Sequence, residues 1–191
     1  MVLTPSTMKQ LGTLAPDFEL KDVTTGRAVS LSSLGAKKVY LIMFICRHCP
    51  YVQHIKDGLS SLDKDYRGKD IAIVAISAND AANYTEDAPA SLKEFVKEQS
   101  YSFPFLYDET QAVAKKYTAA CTPDFFLYDS KKQLAYRGQM DDSRPGNGKP
   151  VTGKDLRAAI DALLSGTPVS KEQRASIGCN IKWKKGNEPS Y

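Results

Sequence analysis

Two uninterrupted apolar runs stand out along the chain, at residues 39–45 and 71–76. Continuous runs of this length predict strands covered on both faces, because a strand with one face in water alternates apolar and polar side chains. Between the two runs, apolar side chains recur at steps of three and four, which predicts one buried face of an amphipathic helix. The residues of that face are Val52, Ile55, Leu59, Leu62 and Tyr66.

The flanking segments continue the alternation of strands and helices. A turn at residues 24–26 between short apolar stretches predicts a hairpin near the start of the chain. After the second run, short helical patterns separate predicted strands at 103–106 and 125–128, and the latter should pair with 134–138 as a second hairpin. A last apolar stripe over residues 156–164 predicts a final helix.

These elements predict an α/β fold in which a mixed central sheet is flanked by helices, with the first hairpin as an N-terminal extension. We expect one domain over residues 1–166 and an irregular C-terminal tail over 167–191 that packs on the same domain. The chain has 191 residues, of which 42% are hydrophobic, and this is enough for one sizeable core.

Charge and hydropathy argue against several classes of partner. The formal net charge of +4 is spread along the chain, which disfavours a nucleic-acid interface. No apolar stretch approaches the length of a membrane span, and the first residues do not resemble a secretion signal. We therefore expect a cytoplasmic protein without a membrane partner, acting as a monomer or weak dimer; an exported form stays open if a leader has been removed.

The most informative motif is a Cys-X-X-Cys sequence at residues 46–49, directly after the first apolar run. Cys46 should stand where a strand ends and a helix begins, exposed and easily ionised, because a helix N-terminus stabilises a thiolate. The two other cysteines, Cys121 and Cys179, are isolated, so the four lack the paired spacing of a structural zinc site. The pattern favours redox chemistry with no metal and no cofactor.

A second signature, Thr122-Pro123, precedes the predicted strand at 125–128. With this element order, the chain resembles the thioredoxin fold and, more narrowly, the peroxiredoxin-like (redoxin) branch of the alkyl hydroperoxide reductase/thiol-specific antioxidant superfamily. The resemblance extends over nearly the whole chain. The segments that carry it are residues 15–18, 43–52, 121–127, 136–138, 141–150 and 177–183.

The resemblance implies a thiol-disulfide oxidoreductase and a role for each residue of the motif. Cys46 would be the nucleophile, and Cys49 the resolving thiol that releases the product. Arg47 and His48 would stabilise the Cys46 thiolate through their positive charge, since the thiolate is the form that attacks. A stabilised thiolate makes the couple more oxidising.

The same resemblance assigns roles outside the motif. Thr122 and Pro123, with the proline in the cis form, would be the platform on which a substrate backbone binds. Cys121 and Cys179 are candidate auxiliary thiols, although a small buried hydrophobe is the commoner role of an isolated cysteine. The partners would be protein or small-molecule thiols and disulfides, together with an electron donor that the sequence does not identify.

The peroxidase motif of true peroxiredoxins is not matched. That motif places Pro seven residues, and Thr or Ser three residues, before the reactive Cys, and no cysteine of this chain satisfies both positions. For Cys49 the two positions hold Ile42 and Cys46. Peroxidase activity is therefore disfavoured, but it remains an alternative, as does a non-catalytic redox-sensing or metal-binding module.

Two further departures concern the thioredoxin pattern. Thioredoxins keep a buried Asp six residues before the first cysteine, and this chain has Tyr40 there, so the base must be found elsewhere. Pro50 directly follows the motif and suits the first turn of a helix better than its interior. We therefore predict that the helix begins later than in thioredoxin and directs fewer amides at Cys46.

Overall fold

The computed structural model describes residues 3–191 and contains a seven-stranded sheet, a three-stranded sheet and four α-helices. The strands are β1 (Leu3–Pro5), β2 (Glu19–Asp22), β3 (Ala28–Ser30), β4 (Val39–Phe44), β5 (Ile71–Ser77), β6 (Phe105–Tyr107), β7 (Cys121–Thr122), β8 (Asp124–Tyr128), β9 (Leu134–Gly138) and β10 (Ile177–Asn180). The helices are α1 (Pro50–Tyr66), α2 (Pro89–Gln99), α3 (Ala112–Tyr117) and α4 (Lys154–Ser165), with a 3-10 turn at Thr85–Asp87.

The larger sheet is mixed, in the order β3-β2-β6-β5-β4-β8-β9. The two apolar runs form its centre as β4 and β5, which pair in parallel because α1 connects them as a crossover. On the other side of β4, β8 pairs antiparallel, and β9 follows β8 as the predicted hairpin. The α/β fold with a mixed sheet is therefore confirmed.

Both faces of the sheet are covered, as the continuous apolar runs predicted. Every residue of β4 is buried, and alternate side chains enter two separate apolar clusters. Leu41 and Met43 pack in the cluster that includes residues of α1, α2 and α4. Ile42 and Phe44 pack in the other cluster, with residues of α3.

The N-terminal extension is also as predicted, since β2 and β3 pair antiparallel around a turn in which Gly26 has a φ of +72°. One strand is displaced: the stretch predicted at 103–106 is a strand only over Phe105–Tyr107. The Pro104 carbonyl accepts from Ala75 N, so pairing reaches this position even though a proline has no N–H to donate to the ladder.

The C-terminal tail differs from the expectation of an irregular segment. It contains β10, which lies between β1 and β7 in the three-stranded sheet. Periodicity did not predict this strand because it has four residues and its pairing partners are distant in the chain. The domain boundary at residue 166 remains a prediction. Among the described residues, no helix combines the length and apolarity needed to cross a membrane.

Candidate functional site

The Cys-X-X-Cys motif forms the connection between β4 and α1. Pro50 is the first residue of α1, where its missing N–H leaves no bond unmade, and Cys49 is the N-cap with extended backbone angles. The helix therefore begins directly after the motif, with Pro50 in its first turn, the position that suits a proline. Cys49, rather than Cys46, therefore stands at the positive end of the helix dipole.

The structure brings the motif and the Thr122-Pro123 signature together. The Thr122-Pro123 peptide bond is cis. Cys46 Sγ lies 3.4 Å from Thr122 Oγ1, and Cys49 Sγ, as a thiol, donates to the Thr122 carbonyl oxygen at 3.1 Å. Both sulfurs of the motif thus contact the residue that precedes the cis proline.

Both thiols are buried, so the expectation of an exposed and easily ionised Cys46 is wrong. Each cysteine is 0% exposed. Burial raises the pKa of Cys46 well above its usual value, and the nearby Asp87 carboxylate adds to this effect. Hydrogen bonds from Cys46 and Thr122 lower the pKa of Cys49 to about 4 despite its burial. Of the two thiols, Cys49 is therefore the one whose pKa its surroundings lower.

Asp87 is the residue of the site that sequence reasoning missed. Its side chain is fully buried, and Oδ1 accepts from the backbone amides of Arg47 at 2.8 Å and His48 at 3.1 Å. Its Oδ2 accepts from Asn79 Nδ2 at 2.8 Å and forms a short contact with His48 Nδ1. Because Asp87 binds both amides of the turn, they are not available to a thiolate on Cys46.

The carboxylate also pairs the charge of His48. Asp87 raises the pKa of His48 above its usual value, and His48 in turn lowers the pKa of Asp87 against the effect of burial. The imidazole ring stacks on Tyr84, with ring centroids 5.2 Å apart. His48 Nδ1 is 3.9 Å from Cys46 Sγ, so it lies near the sulfur as predicted, but its charge is shared with Asp87.

Arg47 turns away from the sulfurs. Its guanidinium donates to Glu98 at 2.8 Å and to Glu94 at 3.2 Å, both on α2, and to the Ser91 carbonyl oxygen at 2.9 Å. Its charge is thus paired with two carboxylates of α2. The expected stabilisation of the Cys46 thiolate by this guanidinium is not seen in the structure.

The two auxiliary cysteines lie in different surroundings. Cys121 is fully buried, and its pKa is raised well above the usual value by burial and by Asp124. Cys179 lies on β10 directly opposite Thr122, and it packs in the same apolar cluster as Cys46 and Cys49. Of the two, the structure brings only Cys179 to the motif.

One group of side chains at the site has the chemistry of a metal centre. The ligand atoms of Cys46, His48 and Asp87 all lie within 4.8 Å of one another. A thiolate, an imidazole and a carboxylate are a donor set that suits Zn²⁺. In this structure the same three groups are occupied by hydrogen bonds among themselves.

Similar structures cover almost the whole chain. An uncharacterised conserved protein from Geobacillus kaustophilus is 52% identical, with a TM-score of 0.94 over 96% of this chain and 97% of that one. A hypothetical protein from Sinorhizobium meliloti is 49% identical, with a TM-score of 0.94 over 96% of this chain and 100% of that one. Neither name states an activity.

Proteins with a stated activity are more distant. The thiol-disulfide oxidoreductase ResA of Bacillus cereus is 29% identical over 126 residues, which cover 63% of this chain and 64% of ResA. The match thus spans less than two thirds of that relative. A putative thiol:disulfide interchange protein DsbE from Chlorobium tepidum is 22% identical, with a TM-score of 0.64 over 81% of this chain and 98% of that one. This second likeness shows a thioredoxin-like fold.

The sequence also matches the model of the AhpC/TSA family over residues 11–137, which is more than half of the chain. The match includes the Cys-X-X-Cys motif, the Asp87 network and the cis proline. It agrees with the redoxin resemblance carried by the sequence motifs. The chain belongs to the AhpC/TSA family.

Proposed function

We propose that this protein is a thiol-disulfide oxidoreductase that exchanges electrons through the Cys46–Cys49 pair. The observation that carries the proposal is the contact of both sulfurs with Thr122, next to the cis proline. A substrate sulfur that reached Thr122 would meet both thiols there. Because both sulfurs are buried and β10 pairs with Thr122, this cover has to move for a substrate to enter. The named relative ResA supports the same class of chemistry.

In place of a base at position 40, the Cys49 sulfur, whose pKa is lowered, would accept the proton of Cys46. The hydroxyl of Tyr40 points to the loop before β4, where it donates to the Gly35 carbonyl oxygen at 2.8 Å. Because Cys46 donates its thiol proton to the Cys49 sulfur, transfer of that proton leaves Cys46 as the thiolate and Cys49 as the thiol. The reduced pair carries one negative charge before and after this transfer.

The exchange then balances as two sulfur substitutions. The Cys46 thiolate attacks a substrate disulfide, one substrate sulfur leaves as a thiolate, and Cys46 holds the other in a mixed disulfide. That leaving thiolate takes the proton from Cys49. Cys49 attacks Cys46 Sγ, which forms the Cys46–Cys49 disulfide and releases the second substrate sulfur. Two electrons pass from the pair to the substrate, and a thiol donor of unidentified nature returns them.

Asp87 and His48 have a positioning role in this proposal. Asp87 holds the turn through two amides and bonds His48 Nδ1, which fixes the imidazole ring beside the Cys46 sulfur. Because the pair is close to neutral overall, it orients the turn without adding a full positive charge beside Cys46. The couple should then be less oxidising than the residue types of the motif alone predicted.

The test is a disulfide-exchange assay with a small aromatic disulfide and dithiothreitol as donor. We expect Cys46→Ser to lose activity by at least about 10³-fold, as removal of a nucleophile generally does. Cys49→Ser should accumulate a mixed disulfide on Cys46 because nothing resolves it. Full activity in Cys46→Ser would overturn the proposal.

A metal-binding module is the second candidate, and the close approach of Cys46, His48 and Asp87 favours it. Zinc bound there would need both the thiolate and the imidazole, so it would block exchange. Purified protein should then contain stoichiometric zinc that is lost in His48→Ala. This candidate would be excluded if the protein contained no zinc after purification and was active in disulfide exchange.

A peroxidase is a third candidate because the chain belongs to the AhpC/TSA family. The buried Cys46 lacks the residue pattern of a peroxide pocket, so we expect slow peroxide consumption with dithiothreitol. Fast consumption that depends on Cys46 would favour the peroxidase instead. We also propose that the protein acts in the cytoplasm on protein or small-molecule disulfides, which fractionation of the source cells would test.

A further inference from the structure

The strand β10 covers the edge of the platform at which a substrate would bind. It pairs antiparallel with β7, with Cys179 opposite Thr122. Ser176 anchors the strand from the other side, since its hydroxyl donates to the Pro123 carbonyl oxygen at 2.7 Å. A Cβ at Gly178 would overlap the Thr122 carbonyl group, so the glycine is required for this approach. The C-terminal tail thus lies where an incoming extended chain would pair.

The alternation of side chains along a strand decides which cysteine faces the motif. Adjacent residues of β7 point to opposite faces, so Cys121 and Thr122 point away from each other. Directly paired residues of neighbouring strands lie on the same face, so Cys179 shares the face of Thr122. Cys121 is instead on the opposite face, where its sulfur contacts the Pro123 carbonyl oxygen at 3.6 Å.

Cys179 meets the motif at Cys49. Each of these two thiols shifts the pKa of the other, and Cys46 likewise shifts the pKa of Cys49, so the three sulfurs are neighbours. All three belong to one buried apolar cluster, with exposures of 0%, 0% and 3% for Cys46, Cys49 and Cys179. Cys49 therefore has Cys179 as a second neighbouring thiol besides Cys46, since Cys49 contacts the Thr122 carbonyl and Cys179 pairs with Thr122.

We propose that Cys179 is a third redox thiol, which attacks the Cys46–Cys49 disulfide at Cys49 and transfers the disulfide to the Cys49–Cys179 pair. This step rests on the proposed exchange at Cys46 and Cys49, which forms the first disulfide. The strand pairing with Thr122 holds the attacking sulfur in place, so no movement of β10 is needed. Cys49 is then the branch point of a three-thiol relay.

The step is an isomerisation and needs no further oxidant. The Cys46–Cys49 bond breaks, the Cys49–Cys179 bond forms, and Cys46 leaves as a thiolate. The proton that Cys179 loses passes to Cys46, so charge and electrons balance. The raised pKa of Cys179, about 12 because of burial and the neighbouring Cys49, makes this coupled proton transfer necessary. The product is a protein that remains oxidised while Cys46 is a thiol again.

The new disulfide would also join β10 to the N-terminus of α1. In that state the tail cannot leave the edge of Thr122, so the platform stays covered. Reduction of the Cys49–Cys179 bond would restore a strand held only by hydrogen bonds and packing. The relay therefore links the redox state of the protein to access at its own substrate platform.

Peptide mapping can distinguish the possible disulfides because trypsin separates every cysteine. Cleavage after Lys38, Arg47, Lys56, Lys116, Lys131, Arg174 and Lys182 releases the four cysteines on separate peptides. Cys46 lies on 39–47, Cys49 on 48–56, Cys121 on 117–131 and Cys179 on 175–182. The reduced protein is oxidised with dithiodipyridine, quenched with acid, alkylated and digested without reductant, and the cross-linked peptides are identified by mass spectrometry.

The decisive variant is Cys46→Ser, in which only Cys49, Cys121 and Cys179 remain. We expect one disulfide per chain, between peptides 48–56 and 175–182, and its loss in Cys46→Ser/Cys179→Ser. Cys46→Ser/Cys121→Ser is the matched control and should keep the cross-link. If Cys49 in Cys46→Ser carries only the pyridine thiol, or cross-links to 117–131, the relay is overturned.

A different variant, Cys179→Ser, tests the proposed function separately from the relay. In Cys179→Ser, a cross-link between 39–47 and 48–56 means that exchange at the motif holds whether or not the relay does. In wild-type protein, that cross-link should appear first and convert to the Cys49–Cys179 cross-link at a constant total of one per chain. Circular dichroism and an unfolding curve for Cys46→Ser and Cys46→Ala exclude misfolding as the source of a negative result.

Discussion

On one face of β7, Thr122 contacts the thiols of Cys46 and Cys49; on the other face, Cys121 lies near the buried ion pair of Arg137 and Asp124. Both faces place a cysteine beside a carboxylate, yet their chemistry differs. The Thr122 face holds two thiols and an imidazole, groups whose pKa values the surrounding site shifts. The Cys121 face holds an arginine, which stays charged at any ordinary pH.

The Arg137 pair is fixed by its surroundings. Both partners are 0% exposed at their side chains, and Asp124 also accepts from the Ser6 hydroxyl at 2.7 Å. The guanidinium lies 3.6 Å from the centre of the Phe126 ring. The His48–Asp87 pair has a similar buried carboxylate, but its cation is titratable and remains 11% exposed. A buried carboxylate thus forms a fixed structural pair with an arginine and a titratable pair with a histidine.

The largest effect on stability should come from breaking the fixed pair. Arg137→Ala leaves Asp124 buried and without its cation, so we expect a loss of about 3 to 5 kcal/mol in the free energy of unfolding. Lys149→Ala is the matched control, because it removes a surface pair with Asp142 and should cost less than about 1 kcal/mol. Equal losses in urea unfolding would contradict the distinction.

A smaller effect should follow from separating β10 from β7. Gly178→Ala places a methyl group against the Thr122 carbonyl, so we expect a loss of about 1 to 3 kcal/mol, in the range of overpacked sites. Because the strand must move, the thiols of Cys46 and Cys49 should react faster with a coloured disulfide reagent. Unchanged reaction rates, with the fold intact, would mean that β10 does not cover the site.

The His48–Asp87 pair should make the free energy of unfolding depend on pH. The pKa of His48 is raised above 6.5, so its contribution is complete below that pH and is lost as the pH rises through the raised pKa. The pKa of Asp87 is lowered below 3.8, so its contribution is complete above that pH and is lost on acidification. The pair therefore stabilises the fold fully between about pH 3.8 and pH 6.5.

Asp87→Asn tests this window, because the amide oxygen still accepts from the turn while the charge is removed. We expect the free energy of unfolding to fall by about 1 kcal/mol near pH 6, the size of one hydrogen bond. Above that pH, the stability of the variant should no longer show the decrease that the His48 titration causes in the wild-type protein. The ring titration of His48, followed by NMR with His54→Gln to assign the signals, should move to lower pH. A titration that stays in place would show that Asp87 does not control the imidazole.

The smallest effect is expected at Cys121, on the face without exchange chemistry. Cys121→Ser should change the exchange rate by less than about twofold, because the sulfur does not contact the motif. The measurement is the dithiothreitol assay used for Cys46→Ser. A loss as large as that of Cys46→Ser would place the chemistry on both faces of β7 and end the comparison.

Much of the scaffold follows from local patterns. The apolar runs predicted β4 and β5 at the centre of the sheet, because a strand buried on both faces has apolar side chains at consecutive positions. The apolar stripe predicted α1 in the same way, from residues that are close in the sequence. Pro50 marked the start of α1 for a local reason as well, since its ring suits a first helical turn. The two motif signatures indicated which ends of the strands form the candidate site.

The Asp87 network could not be found in the same way. This carboxylate is about 40 positions from the turn it holds, and nothing in its own neighbourhood distinguishes it from other acidic residues of a polar loop. The direction of the Arg47 side chain was unpredictable for the same reason. Its partners, Glu94 and Glu98, are brought near it only by the packing of α2. Electrostatic partners of a site depend on the fold as a whole.

The sequence by itself determined the order of elements along the chain, the mixed sheet and the family, and it pointed to Cys46 and Cys49 as the candidate redox pair. Only the tertiary structure decided that both sulfurs of the motif are buried, how His48 is paired and which remaining cysteine joins the site. The reason is physical. Burial and alternating side chains are repeated over short distances along the chain, whereas the pKa of a thiol and the register of β10 depend on groups that meet only after folding.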